Sequence, residues 1–502
     1  MSTDLRKMER READDSYRHV LKYTSIFGGV QGLKMLVTLL RNKLTSYLLG
    51  KAGMGINAIF LNISEIINSW TNFGIPFYAV RRLSELYEEG SDDDLRRFVG
   101  VIRTWSVWSA LLGGMLCFVF ASWLNTHYFP SGENHTLEIL FLSIFVASIP
   151  IEAVECSILK GMRRLRTVAY IEILCALSTF VFTIPIYYFL GFRGIIISII
   201  LCGWAMALIH LYFSTRIYRY SISLFSIDVI REGWPLIRIG IPYVLAGAVT
   251  AMATGEVLSY LNDAEQVGLY KAGFGLLLIC SSVVMMALDT DYFPRLSSVN
   301  HDMQRLNHAI NQQVDVGVLL MAPILIMFVL TMPLLIRILL TAEFLPIAPM
   351  VYCAVFYAFL HIIIVPIGYT SAARGDLWLY FIVEIVYDIA FVLAVRYGYS
   401  QMGLIGAGIA LSVVALFDLI LVGVVFGLYY KISLRRQTVG IILLQGTLLF
   451  MTVAACLWLV PVWRLPLGAV LFALSLMFSW HRLSPEIPVL ARIRNMFLRS
   501  KD

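Results

Sequence analysis

At 502 residues, with 59% hydrophobic and only 14% charged side chains and a mean hydropathy of +0.78, the chain is far more apolar than a soluble globular protein of ordinary composition. That excludes a soluble enzyme and predicts a polytopic membrane protein. The net charge of +6 comes without a basic patch interleaved with exposed aromatics in a soluble domain, so loops on one membrane side explain it better than nucleic acid does.

Residues 1–22 form a polar tail with Arg6, Lys7, Glu9, Arg10, Arg11 and Glu12, and lack the apolar run and cleavage site of a secretory signal; the first hydrophobic helix is expected to stay in the mature chain. Apolar stretches long enough to cross about 30 Å of hydrocarbon then recur to the end. They fall at approximately 23–48, 56–80, 98–124, 137–159, 167–190, 194–216, 235–261, 266–293, 312–340, 346–372, 376–397, 402–429, 437–460 and 464–481, about fourteen in all. The expected class is therefore all-α. The seven cysteines (Cys117, Cys156, Cys175, Cys202, Cys280, Cys353 and Cys456) sit inside apolar segments and form no CxxC or Cys/His cluster, which disfavours disulfides and a metal site.

Lysines and arginines are unevenly shared between the two sides. One side collects Arg6 to Lys22, Arg81, Arg82, Arg96, Arg97, Lys160, Arg163, Arg164, Arg166, Arg216, Arg219, Arg231, Arg295, Arg305, Arg374, Lys431, Arg435, Arg436 and the tail from Arg482 to Lys501. The other has Lys51, Arg193, Arg396, Arg464 and little else. The positive-inside bias makes the first side cytoplasmic and puts both termini there. The outer loops are short, which confines function to the membrane region and its cytoplasmic rim. The tail 482–502 sets Val489, Leu490, Ile493, Met496 and Phe497 beside Arg492, Arg494 and Arg499, a pattern suited to a helix in an anionic interface or to a plain basic tail.

The second half echoes the first. Tyr47, Gly55, Arg82, Leu83 and Ser84 recur at a constant offset of 213 as Tyr260, Gly268, Arg295, Leu296 and Ser297; Glu172-Ile173 recurs at an offset of 212 as Glu384-Ile385, and Gly194 as Gly406. An offset of about six helices gives two copies with the same orientation, related by an axis along the membrane normal. The chain divides into a cytoplasmic tail (1–22), an N-lobe of six helices (23–216), a linker (217–234), a C-lobe of six helices (235–430), two further helices (431–481) and a basic tail (482–502).

Six helices, six helices and two, a basic first helix, and the segment Lys43-Leu44-Thr45-Ser46-Tyr47-Leu48-Leu49-Gly50-Lys51-Ala52-Gly53-Met54-Gly55-Ile56 together resemble the Wzx-type polysaccharide flippases of the multidrug/oligosaccharidyl-lipid/polysaccharide exporter superfamily. The architecture matches over the whole chain, the motifs best over residues 22–85. The resemblance implies movement of an undecaprenyl-pyrophosphate-linked oligosaccharide, such as an O-antigen repeat unit, from the inner to the outer leaflet of a bacterial inner membrane by alternating access. It also implies a central cavity lined by helices one, two, seven and eight, and carries no catalytic motif.

The residues themselves supply the candidate site. Gln31, Lys34, Thr38, Arg41 and Thr45 are spaced three, four, three and four apart and share one face of the first span. A cationic stripe inside a membrane helix must face protein, water or ligand. In the second span Asn62, Glu65, Ser69 and Asn72 share a face with Asn68 at its edge; Lys271, Gly275, Ser282 and Asp289 share one in the eighth, and the seventh offers Thr250, Thr254 and Glu256. Cations would meet the phosphates of such a lipid, amides and hydroxyls its sugars. Glu65, by helix rise, is a candidate ion-pair partner for Arg41 but is too shallow for Lys34. At the offset of 213 Lys34 corresponds to Gly247 and Arg41 to Thr254, so the charge is not duplicated.

Glu65, Glu256 and Asp289 are candidates for carrying a coupling proton or sodium ion; Glu172, Glu384, Asp388 and Asp418 are further intramembrane acids. The expectation is a lipid-linked oligosaccharide flippase with no cofactor, no metal and no catalytic residue. Its expected partners are the lipid-linked glycan, membrane lipids, an ion gradient and glycan assembly proteins. Competing readings are an organic-cation exporter of the same superfamily, a membrane glycan polymerase and a scaffold. No GxxxxGK[ST] is present, which disfavours direct use of ATP.

Overall fold

The computed structural model describes the backbone of residues 2–90, 92–129, 132–222, 227–261, 263–299 and 302–484. Side chains are described from residue 29 onward within those ranges, apart from 31, 77, 165, 227–228, 235–237, 239, 283, 286–291, 293–294 and 461. The described residues are helical, with no strand among them: α1 (Ser2–Thr71), α2 (Ile75–Glu89), α3 (Asp92–Val119), α4 (Ala121–Tyr128), α5 (Thr136–Gly161), α6 (Leu165–Leu190), α7 (Gly194–Thr215), α8 (Ile227–Leu261), α9 (Ala264–Ser298), α10 (Met303–Leu339), α11 (Ala348–Arg374), α12 (Leu377–Tyr430), α13 (Arg436–Trp458) and α14 (Pro461–Leu483). The basic tail from residue 485 lies outside the described residues.

Nine helical stretches among the described residues are long and apolar enough to cross a membrane. Two of them, Arg166–Thr215 and Leu377–Tyr430, hold 50 and 54 residues, well beyond one crossing. Each is divided by a glycine in a left-handed conformation, Gly191 (φ 53, ψ −130) and Gly403 (φ 59, ψ −139). Positions eight apart in a straight helix stand about 12 Å apart along its axis. Yet a Cβ on Gly406 would overlap the Gly398 carbonyl, and one on Gly194 would press the Ile186 carbonyl. The chain therefore doubles back at both glycines, and the same offset of 212 relates Gly191 to Gly403, Gly194 to Gly406 and Ile186 to Gly398. The internal repeat thus extends from residue identities to the backbone of a hairpin.

Helix ends follow local chemistry. Asp263 and Asp302 cap α9 and α10, their carboxylates accepting from Glu265 N and from Gln304 and Arg305 N. Gly375 (φ 77) closes α11, with Asp376 N donating to Ser371 O at 2.9 Å. The expected second span, 56–80, is interrupted. Helix α1 stops at Thr71, Phe73 and Gly74 take φ of 53 and 69, and α2 restarts at Ile75-Pro76. A proline at the second position of a helix needs no amide partner, so the restart is natural there.

The helices form two compact units. The first comprises residues 1–49, 67–124 and 134–241; the second comprises 50–66, 125–133 and 242–502. In the first, α5 packs against α2, α3 and α7, and α6 against α7. Its core includes Ile75, Leu83, Ile102 and Ile158, each at most 1% exposed. In the second, α11 packs against α12, and α10 against α9, α11, α13 and α14. Helix α8 divides between the units at Ile241 and Pro242, and α1 leaves the first unit at Gly50 (φ 61, ψ −162), where its helical dihedrals are interrupted, and returns to it at Ile67.

Candidate functional site

In the first unit, Lys34 Nζ is ion-paired with Glu172 Oε2 of α6. The pair stays open: 42% of the lysine side chain and 27% of the glutamate side chain is exposed. Glu152 of α5 lies within electrostatic reach of Lys34, Glu172 and Lys160, and His210 of α7 faces it with Nδ1 at 3.8 Å from Oε1. The His210 ring also shares a 2.9 Å hydrogen bond with Met206 O. One lysine, two carboxylates and an imidazole from α1, α5, α6 and α7 thus form one network within the unit. The sequence reading sets Glu65 aside as too shallow for Lys34 and names no other partner; the structure supplies Glu172. Glu172 was visible as an intramembrane acid, but helix rise along one hairpin carries no information on a helix so much further along the chain. Sequence reasoning passed over His210 altogether; a lone histidine in the run 194–216 was its only signal.

Two turns along from Lys34, Arg41 is half-buried and makes no hydrogen bond or ion pair among the described residues. Its charge reaches Tyr187 of α6 and Cys202 of α7. The polar face of the first span is therefore directed at α6 and α7 of its own unit, with Lys34 counter-charged and Arg41 not. Thr38, between them, is half-buried, and the Gln31 side chain lies outside the described residues.

The remaining candidates disperse. Asn62 is 8% exposed, donates to Ala251 O at 3.3 Å and leaves its own oxygen buried without a partner. Asn68 likewise keeps a buried, unpartnered Oδ1. Glu65 is exposed, with no hydrogen bond or ion pair among the described residues. Asn72, expected on the helical stripe, lies beyond the helix end and accepts from Gly74 N at 2.7 Å, a turn-closing role that the asparagine side chain performs well. Lys271 is half-buried and has no hydrogen bond or ion pair among the described residues, whereas Ser282 is exposed and donates to Ile279 O of its own helix at 2.9 Å. Asp289 lies outside the described side chains. Glu256 meets His127 Nε2 at 2.8 Å, a partner the sequence reading lacked.

The second unit holds a different site. Thr250 of α8 donates to Asp388 Oδ2 at 2.8 Å and is 3.4 Å from Glu384 Oε1, both on α12. Asp388 is only 2% exposed, and Asp418 lies within electrostatic reach of both acids. Acids that the sequence offered singly are thus gathered around one hydroxyl.

The sequence profile of the family described as "Polysaccharide biosynthesis protein" matches residues 45–349, more than half of the chain. The chain belongs to that family. A comparison with the curated proteins finds no match. Among solved structures, this polysaccharide biosynthesis family member is similar to the lipid II flippase MurJ in an inward closed conformation, at 14% identity and TM-score 0.69, over 91% of this chain and 99% of that one. It is also similar to a multidrug resistance MATE family transporter of the MOP superfamily in its inward-facing conformation (13% identity, TM-score 0.57, 80% and 96% of the two chains) and in its outward-facing one (13%, 0.55, 82% and 96%). The family member thus has the fold of MOP superfamily transporters and is a multi-pass membrane protein.

Proposed function

We propose that the protein is a flippase that moves an undecaprenyl-pyrophosphate-linked oligosaccharide across a bacterial inner membrane by alternating access, both termini being cytoplasmic. The observation that carries this reading is the half-open cationic face of the first span, where Lys34 is held by Glu172 and Arg41 has no counter-charge. An anionic head group would engage Arg41 and compete with Glu172 for Lys34. Displacing Glu172 would leave two carboxylates, Glu172 and Glu152, close together and short of positive charge beside His210. Lys271 is a further cation without a counter-charge for the same lipid during its passage, and Asn62 and Asn68 keep acceptors for sugar hydroxyls.

The family description and the likeness to a lipid-linked precursor flippase support this reading over a membrane polymerase or a scaffold. An organic-cation antiporter is the second reading, favoured by the cluster of buried Asp388 with the half-buried Thr250, Glu384 and Asp418. Under the flippase reading that cluster instead serves a driving cation. Export complementation in a flippase-deficient strain separates the two. Arg41→Ala and Lys34→Ala, stably inserted, are expected to lose glycan export. Full export by both variants, or drug efflux without glycan export by the wild type, would overturn the proposal.

A further inference from the structure

The internal repeat places an arginine at equivalent positions on α2 and α9, and the two are treated differently. In the first unit Arg82 Nη1 lies 3.2 Å from Glu85 Oε2, and Arg81 Nε 3.0 Å from Glu85 Oε1. Hydrogen bonds from Arg81 and Arg82 hold the Glu85 carboxyl below its ordinary range, as a shared counter-ion should be held. At the offset of 213 Arg82 becomes Arg295, but Glu85 becomes Ser298. Arg295 therefore has no counterpart of that carboxylate at the repeat position. Among the described residues its guanidinium donates to the neutral side-chain oxygens of Gln312 at 3.3 Å and Gln313 at 3.5 Å, and its Nε is buried with no partner.

Arg295 lines a pocket of about 440 Å³ at the cytoplasmic end of the second unit, together with Arg305, Arg435, His308, Gln304 and Gln312. Arg305 is paired with Asp302 at 3.2 Å. Arg435 Nη2 is 2.6 Å from His308 Nδ1. A guanidinium only donates, so Nδ1 is the acceptor in that contact. Three guanidiniums and an imidazole thus line one pocket with one carboxylate beside them. That lining suits a tetrahedral, multiply charged anion, since arginine matches phosphate oxygens in pairs.

We propose that this pocket is a phosphate-binding site for the head group of a lipid at the cytoplasmic interface, distinct from the Lys34 and Arg41 face. The shared chemistry is a phosphate or diphosphate ester. Its two sources are an anionic phospholipid of the bilayer and the diphosphate of a polyprenyl carrier. Losing the Arg82-type ion pair in the second repeat is what leaves Arg295 available to it.

The test is pyrophosphate binding by the purified full-length protein in nanodiscs, compared with Arg295→Gln, Arg435→Gln and the double variant. Charge-assisted contacts of this kind make roughly a ten-fold loss per arginine the expected result. Arg435 is exposed, so its replacement is not expected to disturb folding. Arg305→Gln should cost less, because Asp302 already neutralises that side chain, and Arg435→Lys should restore part of the loss. In phosphatidylglycerol nanodiscs, wild-type affinity below that in phosphatidylcholine identifies the bilayer lipid as the occupant; equal affinity in the two identifies the carrier diphosphate. Unchanged pyrophosphate affinity in Arg435→Gln and in the double variant would overturn the proposal.

Discussion

Lys34 and Arg41 stand two helical turns apart on one face of α1, yet only the lysine has a carboxylate. Removing Glu172 alone should therefore not mimic removing Lys34. Glu172→Gln frees the lysine and is expected to tighten head-group binding, measured as binding of a polyprenyl diphosphate to the purified protein. A contrasting case is Arg103. It is 0% exposed and holds Glu155, 1% exposed, through two bonds of 2.8 and 2.9 Å, while also donating to Tyr218 O and Arg219 O at 3.2 and 3.0 Å. The sequence reading did not single out Arg103. A partner on a different helix is invisible to periodicity. Truncating one member of such a pair strands a buried charge, so Arg103→Met should cost about 3–5 kcal/mol, whereas Arg103→Met with Glu155→Leu should cost much less. Denaturant unfolding of the purified protein reads the difference.

At the scale of elements, the helix starts that cross in the second unit do so through glycine. A Cβ on Gly55 would overlap the Ala264 carbonyl, and one on Gly268 would overlap the Lys51 carbonyl. Gly55 with Gly268, and Lys51 with Ala264, are each related by the repeat offset of 213, so the contact is locally two-fold. It is flanked by the Lys51–Glu265 ion pair at 3.1 Å. Gly55→Ala or Gly268→Ala should separate the segments and destabilise the protein by about 1–3 kcal/mol, as over-packing does elsewhere. A thermal melt unchanged by either substitution would contradict the contact. The sequence offered Gly55 and Gly268 as matching residues because identity at a constant offset is readable; that they touch each other is a tertiary fact. Asn72 shows the opposite limit. Its spacing placed it on a helical stripe, but Phe73-Gly74-Ile75-Pro76 ends one helix and starts another, and its side chain closes that turn.

Across the whole molecule, hydropathy located the helices well because each span must satisfy its own backbone in lipid. Spans expected at 376–397 and 402–429 correspond to the two arms of α12, and those at 167–190 and 194–216 to α6 and α7. The interruption at residues 72–74 was less legible, since it depends on dihedrals of single residues. The charge bias predicts sidedness directly. A cysteine introduced near Lys51 in a cysteine-free background should react with an impermeant maleimide added outside intact cells, and one at Arg305 should not; the reverse pattern would invert the topology. The account rests most heavily on the first span as the place where an anionic head group is held. Its most direct measurement is translocation of a polyprenyl-diphosphate-linked oligosaccharide in proteoliposomes by the wild type and by Lys34→Met with Glu172→Met. That variant removes the cation together with its paired carboxylate, leaving Glu152 facing His210. The account predicts normal insertion and at least about a ten-fold slower translocation, the loss of one charge-assisted contact; translocation at the wild-type rate would contradict it.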